Sequence, residues 1–242
     1  MSTQNLLTLD GVHTHIGAYH ILHGVDLAVP RGQLTMLLGR NGAGKTTTLR
    51  TIMGLWHASE GRVRFGDKDI AAMHTPQIAE LGIAYVPENM GIFSDLTVKE
   101  NMLLAARGAK NAAQIGDTRL KWIFKLFPAV EKFWNHPAGK LSGGQKQMLA
   151  VSRAIVEPRE LLLIDEPSKG LAPVMINNMI DAFAELKASG VTILLVEQNI
   201  NFAQRLGDNV AVMDNGRVVH SGSMAAFSAD AQLQQSLLGL AL

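Results

Sequence analysis

The pattern of apolar and polar positions predicts strands of two kinds. Residues 6–10 and 25–29 alternate between apolar and polar side chains, as half-buried antiparallel strands do. Runs of mainly apolar residues, the pattern of strands covered on both faces, lie at 34–38, 83–86, 161–164 and 191–196. The chain therefore predicts a buried, mainly parallel sheet, with a small antiparallel sheet formed by its first third.

Helical patterns lie between the second and third buried runs. Thr97 and Glu100 have the spacing of a capping box and open a predicted helix. Apolar residues recur at helical spacing from Leu120 until Pro128, and residues 107–118 are small and polar, as loops are. These patterns predict an inserted helical subdomain at about 90–140.

We expect residues 1–242 to form one α/β domain, with residues 1–89 and 141–242 as its core. Within that core, Asp214-Asn215-Gly216 lies between two apolar runs and predicts a hairpin. About the last 20 residues are rich in Ala, Gln and Leu and predict helix.

Composition restricts the class of protein. The chain has 47% hydrophobic residues, 18% charged residues and a net charge of +1, which is typical of a globular protein and does not favour nucleic-acid binding. It has no cysteine, which excludes disulfides and thiolate metal sites and fits a reducing cytoplasm. The first seven residues lack the features of a signal peptide, and no apolar run approaches the length of a membrane span. Any role in a membrane is therefore expected to depend on a partner.

The densest chemical motif follows the first buried run and reads Gly39-Arg40-Asn41-Gly42-Ala43-Gly44-Lys45-Thr46-Thr47. It fits the phosphate-binding pattern G-x-x-x-x-G-K-[ST], in which glycines turn backbone N–H groups toward an anion. Lys45 can charge-pair with the β- and γ-phosphates, and the Thr46 hydroxyl can ligate Mg²⁺. A helix predicted at 45–53 and ended by Gly54 adds its N-terminal dipole. A simple glycine-rich turn is the alternative, which the flanking strand and helix disfavour.

A second motif, Leu141-Ser142-Gly143-Gly144-Gln145, heads another predicted helix. Ser142 and Gln145 have capping-box spacing, so an ordinary helix start is one interpretation. Glycine costs a helix interior about 1 kcal/mol, and two in one turn are better explained if phosphates must approach bare backbone.

The third apolar run ends in Asp165-Glu166, at the end of the strand where open α/β sheets bind ligands. Asp165 is placed to hold Mg²⁺, through water, and Glu166 to orient or deprotonate an attacking water molecule. A solvated acidic turn is the alternative, which the phosphate loop earlier in the chain disfavours.

Taken in order, these motifs resemble the ATP-binding subunit of ATP-binding cassette (ABC) transporters over essentially the whole chain. The resemblance rests on Gly39–Thr47, Glu88, Leu141–Gln145, Leu161–Glu166 and Gln198. It implies a P-loop NTPase core with a mainly parallel sheet, an N-terminal antiparallel β subdomain and an inserted α-helical subdomain. It also implies that the protein hydrolyses ATP with Mg²⁺.

The resemblance further implies a role for each motif. Two cassettes face head to tail, so Ser142, Gly143, Gly144 and Gln145 of one contact the ATP on the phosphate loop of the other. Catalytic roles fall to Glu166, Gln198 and Glu88, and the Mg²⁺ ligands are Thr46, Glu88 and Asp165. The Glu88 segment would be the hinge to the helical subdomain, which would contact a membrane partner.

At three positions the residue differs from the one found in most cassettes, and these differences favour one subclass of ABC ATPases. Glu88 replaces the usual Gln, Gln198 replaces the usual His, and Ala172 replaces the usual Asp. Together they look like the smaller ATPase subunit of branched-chain amino acid uptake systems. That class implies a second ABC ATPase subunit as partner, or a second copy of the chain, and two transmembrane permeases. A substrate-binding protein outside the membrane takes part indirectly, and the cassette is expected on the cytoplasmic side of the inner membrane.

Other interpretations stay open at this point. Urea and short-amide importers use very similar ATPases, and a cytoplasmic cassette for cluster assembly has a similar length. A P-loop kinase shares the phosphate loop, but residues 141–145 and the Asp165-Glu166 pair argue against it.

A fourth departure concerns the base of the nucleotide. Alignment with the family puts Ile16, before Gly17, where an aromatic residue usually stacks on adenine. Losing the aromatic contribution costs about 0.5–1.5 kcal/mol, so weak base recognition is expected. Tyr19 could serve as a substitute platform, although an ordinary loop tyrosine is the simpler interpretation.

Overall fold

The computed structural model describes residues 4–106, 111 and 114–239, which form two sheets and ten α-helices within these ranges. The strands are β1 (Asn5–Ile16), β2 (Tyr19–Pro30), β3 (Leu34–Leu38), β4 (Ala58–Phe65), β5 (Lys68–Asp69), β6 (Ile83–Val86), β7 (Leu161–Asp165), β8 (Thr192–Glu197), β9 (Asn209–Asp214) and β10 (Arg217–Ser223). The helices are α1 (Lys45–Ile52), α2 (Thr75–Glu80), α3 (Val98–Ala105), α4 (Asp117–Leu126), α5 (Pro128–Lys132), α6 (Gly143–Ala154), α7 (Pro173–Ala188), α8 (Ile200–Leu206), α9 (Met224–Ala229) and α10 (Ala231–Leu238).

The larger sheet has the strand order β10-β9-β3-β8-β7-β6 and is parallel except for β10. The four mainly apolar runs of the sequence form β3, β6, β7 and β8, as predicted. Their carboxyl ends are level in the register, with Val86 beside Ile164, Asp165 beside Val196, and Leu38 beside Glu197. The loops that leave these ends therefore meet along one edge of the sheet.

Each of the five parallel strands of the larger sheet contributes to two hydrophobic cores because its side chains alternate between faces. Leu162 and Ile164 pack with α3 to α9 on one face, whereas Leu161 and Leu163 pack on the other face with α1 and the smaller sheet. This two-sided burial explains why the strands show no polar alternation.

The smaller sheet is antiparallel, with the order β2-β1-β4-β5, and lies over α1. Its strands are longer than the alternating pattern predicts. Buried hydroxyls of Thr14 on β1 and Thr51 on α1 lie 3.1 Å apart and join the two layers.

The helices between β6 and α6 occupy the range predicted for the inserted subdomain. The capping box of Thr97 and Glu100 is present at α3, as predicted. Pro128 ends α4 but also begins α5, because proline suits the first turn of a helix. Of the predicted loop at 107–118, residues 107–110 and 112–113 lie outside the described residues, and α4 begins at Asp117, whose charge favours a helix N-terminus. In the part of the chain that the structure describes, no helix has the length and apolar character needed to cross a membrane.

Candidate active site at the carboxyl edge of the sheet

The turn between β3 and α1 is shaped by glycines that other residues could not replace. At Gly39 the backbone has φ +151°, and a Cβ would lie 2.2 Å from the Met213 carbonyl oxygen, so a side chain is excluded. Gly42 has φ +80° with open space beside it. The remaining loop residues line the same turn: Arg40 and Asn41 are exposed, Ala43 and Gly44 are buried, and Thr46 and Thr47 are half-buried on α1. The loop is therefore closed toward the protein and open toward solvent.

Lys45 points back across this loop. Its Nζ donates to the carbonyl oxygens of Gly39 at 2.8 Å and Arg40 at 2.9 Å, and lies 3.8 Å from Glu166 Oε1. Burial lowers the pKa of Lys45, while the neighbouring carboxylates of Glu166 and Asp165 oppose that shift. The Lys45 ammonium is therefore largely removed from water and held at the opening of the loop, where it can attract an anion.

Asp165 and Thr46 meet at the end of β7. The Thr46 hydroxyl donates to Asp165 Oδ1 at 3.1 Å, and the Tyr85 hydroxyl approaches Oδ2 at 3.4 Å. Burial is the main cause that raises the pKa of Asp165, and burial with the nearby Asp165 charge raises the pKa of Tyr85 to about 12. A carboxylate and a hydroxyl at this separation are hard oxygen donors, the kind that Mg²⁺ prefers, so the residues fit that ion.

Glu166 follows Asp165 with φ +47°, a conformation rare for a residue with a side chain. Its backbone N–H donates to the Val196 carbonyl at 3.0 Å. Its Oε1 accepts a 2.5 Å hydrogen bond from Gln198 Nε2, which also donates to Asn41 Oδ1 at 2.7 Å. The structure therefore brings together Glu166, Gln198 and the phosphate loop, three features that are far apart in the sequence.

Glu197, to which the sequence analysis assigned no role, fixes the loops around this group. It is buried at the end of β8, and its Oε1 accepts from the backbone N–H of Ser168 at 2.9 Å. Its Oε2 accepts from the backbone N–H groups of Gln198 and Asn199. A charged residue at the end of an apolar run was the available signal, since such a residue must find hydrogen-bond partners when buried.

Glu88 lies on the segment after β6, half-exposed, and its charge is one of the lesser causes that raise the pKa of Asp165. Its Oε1 accepts a 2.5 Å hydrogen bond from Lys169 Nζ, and Lys169 Nζ is also 3.4 Å from Glu166 Oε2. The hydrogen bond to Glu88 is the largest cause that raises the pKa of Lys169. Sequence analysis missed Lys169, because a single lysine in a polar loop carries no pattern.

The motif at 141–145 forms the start of α6. Ser142 Oγ accepts from the Gln145 N–H at 3.4 Å, and Gln145 Oε1 accepts from the Ser142 N–H at 2.9 Å, which completes the predicted capping box. Neither bond reaches the phosphate loop. A Cβ at Gly143 would meet nothing within 4 Å, whereas one at Gly144 would lie 2.6 Å from Met175 Cε on α7. Gly143 thus presents bare backbone to solvent, and Gly144 permits close packing of two helices.

Ile16 ends β1 and is paired with Tyr19 across the turn to β2. Ile16 is half-buried, whereas Tyr19 is 75% exposed. Both residues lie at the tip of the hairpin.

Comparison with known proteins identifies the family. The family described as "ABC transporter" matches residues 22–169, which is more than half of the chain. The chain belongs to the ABC transporter family. As a member, it carries the ATP-hydrolysing cassette, and this family associates with membrane permease components and forms dimers of cassettes.

Individual relatives agree with this assignment. The cassette is 38% identical over 234 residues to the high-affinity branched-chain amino acid transport ATP-binding protein BraG of Pseudomonas aeruginosa, covering 97% of this chain and 100% of BraG. It is 36% identical to the probable branched-chain amino acid transport ATP-binding protein LivF of Archaeoglobus fulgidus, covering 84% and 86% of the two chains. Among solved structures, the dimeric bacterial ABC transporter cassette MJ0796 matches with a TM-score of 0.80 at 25% identity, covering 90% of this chain and 98% of that one.

Proposed function

We propose that this cassette binds and hydrolyses ATP to drive an ABC importer for branched-chain or other hydrophobic amino acids. The observation that carries the proposal is the meeting of Lys45, Asp165, Glu166 and Gln198 at one edge of the sheet. The amino acid cargo is supported by the similarity to BraG, which extends along both whole chains.

The chemistry assigned to the chain is positioning and charge stabilisation. The loop at 39–47 and the N-terminus of α1 hold the phosphates, and Lys45 neutralises their charge. Glu166 Oε1 faces this loop, so Glu166 accepts the proton of the attacking water molecule. Gln198 donates hydrogen bonds but cannot carry a proton, so its role is to orient Glu166 and the terminal phosphate.

Thr46, Asp165 and Glu88 are the proposed ligands of Mg²⁺, with Asp165 acting through water. When bound, the ion would neutralise charge on the phosphates. Asp165 is held ready for this role by Thr46 and Tyr85.

A second cassette completes the site in this proposal. The start of α6 offers the N-terminus of a helix, formed by Ser142, Gly143, Gly144 and Gln145. The dimeric structure of MJ0796 supports the proposal that this N-terminus contacts the ATP bound by the partner cassette. The partner is a different ATPase subunit, as the resemblance to the amino acid uptake class implies, or a second copy of this chain.

The cassette is proposed to bind two permeases at the cytoplasmic face of the membrane. The surface proposed for this contact is an open groove of about 1010 Å³. One wall comes from β6 and α2 of the core (1–89 and 141–242), and another includes Ala105 of α3, in the helical subdomain at about 90–140. Trp56 and Leu55 offer apolar surface, and Arg50 and Arg153 offer positive charge. A short permease segment with apolar and acidic side chains would complement this lining.

The test is reconstitution of the chain in proteoliposomes with candidate permeases and a candidate second ATPase from the same genome. The loaded binding protein should stimulate ATP hydrolysis when its ligand is leucine, isoleucine or valine. Stimulation by urea or short amides instead would replace the amino acid cargo. Failure of the chain to associate with any permease would overturn the importer assignment.

A further inference from the structure

Lys169 joins two carboxylates to which the proposed function gives different tasks. Its Nζ is 2.5 Å from Glu88 Oε1 and 3.4 Å from Glu166 Oε2. Glu88 lies on the segment that leads to the helical subdomain, and Glu166 lies on the loop after β7. One ammonium group therefore bridges the two loops.

The two oxygens of Glu166 face different partners. Oε1 accepts the hydrogen bond from Gln198 and faces Lys45, on the side of the phosphate loop. Oε2 faces Lys169. The lysine thus fixes the orientation of the carboxylate without occupying the oxygen that points to the phosphate site.

The loop that carries Lys169 is itself held in place. The Lys169 N–H donates to the Glu166 carbonyl at 3.2 Å, which closes a turn, and buried Glu197 fixes the Ser168 N–H. Because the backbone is anchored on both sides of Ser168, the side chain can transmit a displacement of Glu88 to Glu166. Glu88 gives the lysine a charged partner on that segment.

We infer that Lys169 is a positioning residue that sets the orientation of Glu166 and couples it to the Glu88 segment. This inference rests on the roles proposed above for Glu166 and Glu88. Lys169 touches neither nucleotide nor water in this account and acts through the two carboxylates.

The experiment measures steady-state MgATP hydrolysis by the full-length chain, by the single variants Lys169→Met, Lys169→Arg and Glu88→Gln, and by the Glu88→Gln, Lys169→Met double variant. Lys169→Met should lower kcat about fivefold while the KM for MgATP stays unchanged, because an oriented base is lost but phosphate binding is not. Lys169→Arg should stay within about twofold of the parent, because it restores the cation. The Glu88→Gln, Lys169→Met double variant should be no slower than the slower single variant, because both changes break one link.

Arg31→Met is the matched control, since Arg31 forms an exposed ion pair with Glu160 at 3.0 Å, beside the amino ends of β3 and β7, whereas the active loops follow the carboxyl ends. It should leave kcat and KM unchanged. Normal turnover in Lys169→Met would overturn the inference, as would an equal loss in Lys169→Arg, a proportional rise in KM, or additive effects in the double variant.

A parallel Glu166→Gln variant tests the proposed role of Glu166 as the base separately from the role of Lys169. Retained turnover in that variant would overturn the proposed base itself. Lost turnover in Glu166→Gln together with normal turnover in Lys169→Met would overturn only the role of Lys169.

Discussion

At the scale of single residues, Glu166 combines an unfavourable backbone with a well-held side chain. Its φ of +47° costs an ordinary residue about 1–2 kcal/mol, and the hydrogen bonds to Val196 and from Gln198 hold it there. Strain that the surrounding structure maintains is typical of a functional position. A glutamine has the same length and the same backbone preference, so it can occupy this site while lacking the charge.

Asp165 gives a prediction about stability and pH. Burial raises its pKa above the ordinary 3.8, so the folded chain binds this proton more tightly than the unfolded chain does. Its contribution to stability is therefore present at low pH and is lost as pH rises from about 4 through the raised pKa. Asp165→Asn should raise the Tm of the nucleotide-free protein at pH 7 by about 2–4 °C, measured by calorimetry.

The same variant carries its own control. Because it removes a proposed Mg²⁺ ligand, Asp165→Asn should lose most of the additional stabilisation that MgATP gives the parent chain. A lower Tm without nucleotide would contradict the argument that the buried Asp165 charge destabilises the protein. An undiminished response to MgATP would contradict the assignment of Asp165 as a metal ligand.

Ile16 gives a prediction about the base of the nucleotide. Hydrolysis should favour ATP over GTP by less than about tenfold, because an aliphatic residue supplies shape but no ring stacking. Ile16→Tyr should tighten ATP binding about two- to tenfold, measured by titration calorimetry, by restoring the aromatic contribution. Tyr19→Ala is the control: a loss of affinity there would mean that exposed Tyr19 already serves as the platform.

At the scale of elements, the start of α6 offers a matched pair of substitutions. Gly143→Ala should leave Tm unchanged within about 1 °C, since its Cβ would meet nothing within 4 Å, yet lower hydrolysis about tenfold or more by blocking the partner's phosphates. Gly144→Ala should lower Tm, since its Cβ would lie 2.6 Å from Met175 Cε and 3.1 Å from Met175 Cγ, so the whole Met175 side chain would have to move. Thermal melting and phosphate release measured on both variants separate packing from function.

Full activity in Gly143→Ala would show that nothing approaches this helix start during hydrolysis. The composite site would then be wrong, although the phosphate loop would stand.

Strands could be predicted where both of their faces are buried, and helix starts could be predicted where the capping residues are close together in the sequence. The four apolar runs became parallel strands, and Thr97 with Glu100 formed the predicted box. The hairpin of β1 and β2 could be predicted only in part, because His13 and His15 interrupt the apolar alternation while cross-strand pairing continues to Ile16. Strand length there depends on the partner strand, which a local pattern does not record.

The site, too, could be predicted from the sequence only where its residues are close together in the chain. The phosphate loop and the Asp165-Glu166 pair are contiguous motifs, so sequence located them. The bridge from Lys169 to Glu88 spans 81 positions, and the packing of Gly144 on Met175 joins two helices. Such contacts depend on the order of strands in the sheet and leave no trace in a short stretch of sequence.

At the scale of the whole molecule, we propose that the chain is one half of an ATPase. Its carboxyl edge holds Lys45, Asp165, Glu166 and Gln198 together, while the start of α6 forms its capping bonds apart from that loop. The groove beside Glu88 lies next to this edge, so a partner bound there would act on the segment that Lys169 ties to Glu166. In the proposed function, nucleotide, second cassette and permease therefore bind to a few neighbouring loops.

The most direct measurement compares MgATP binding and phosphate release in the parent and in Glu166→Gln. Since glutamine keeps the shape but cannot accept the proton, nucleotide affinity should stay within about threefold, while hydrolysis falls by about 10²–10⁴-fold. Hydrolysis at the parent's rate in Glu166→Gln would contradict the account, because proton transfer would then have to occur elsewhere.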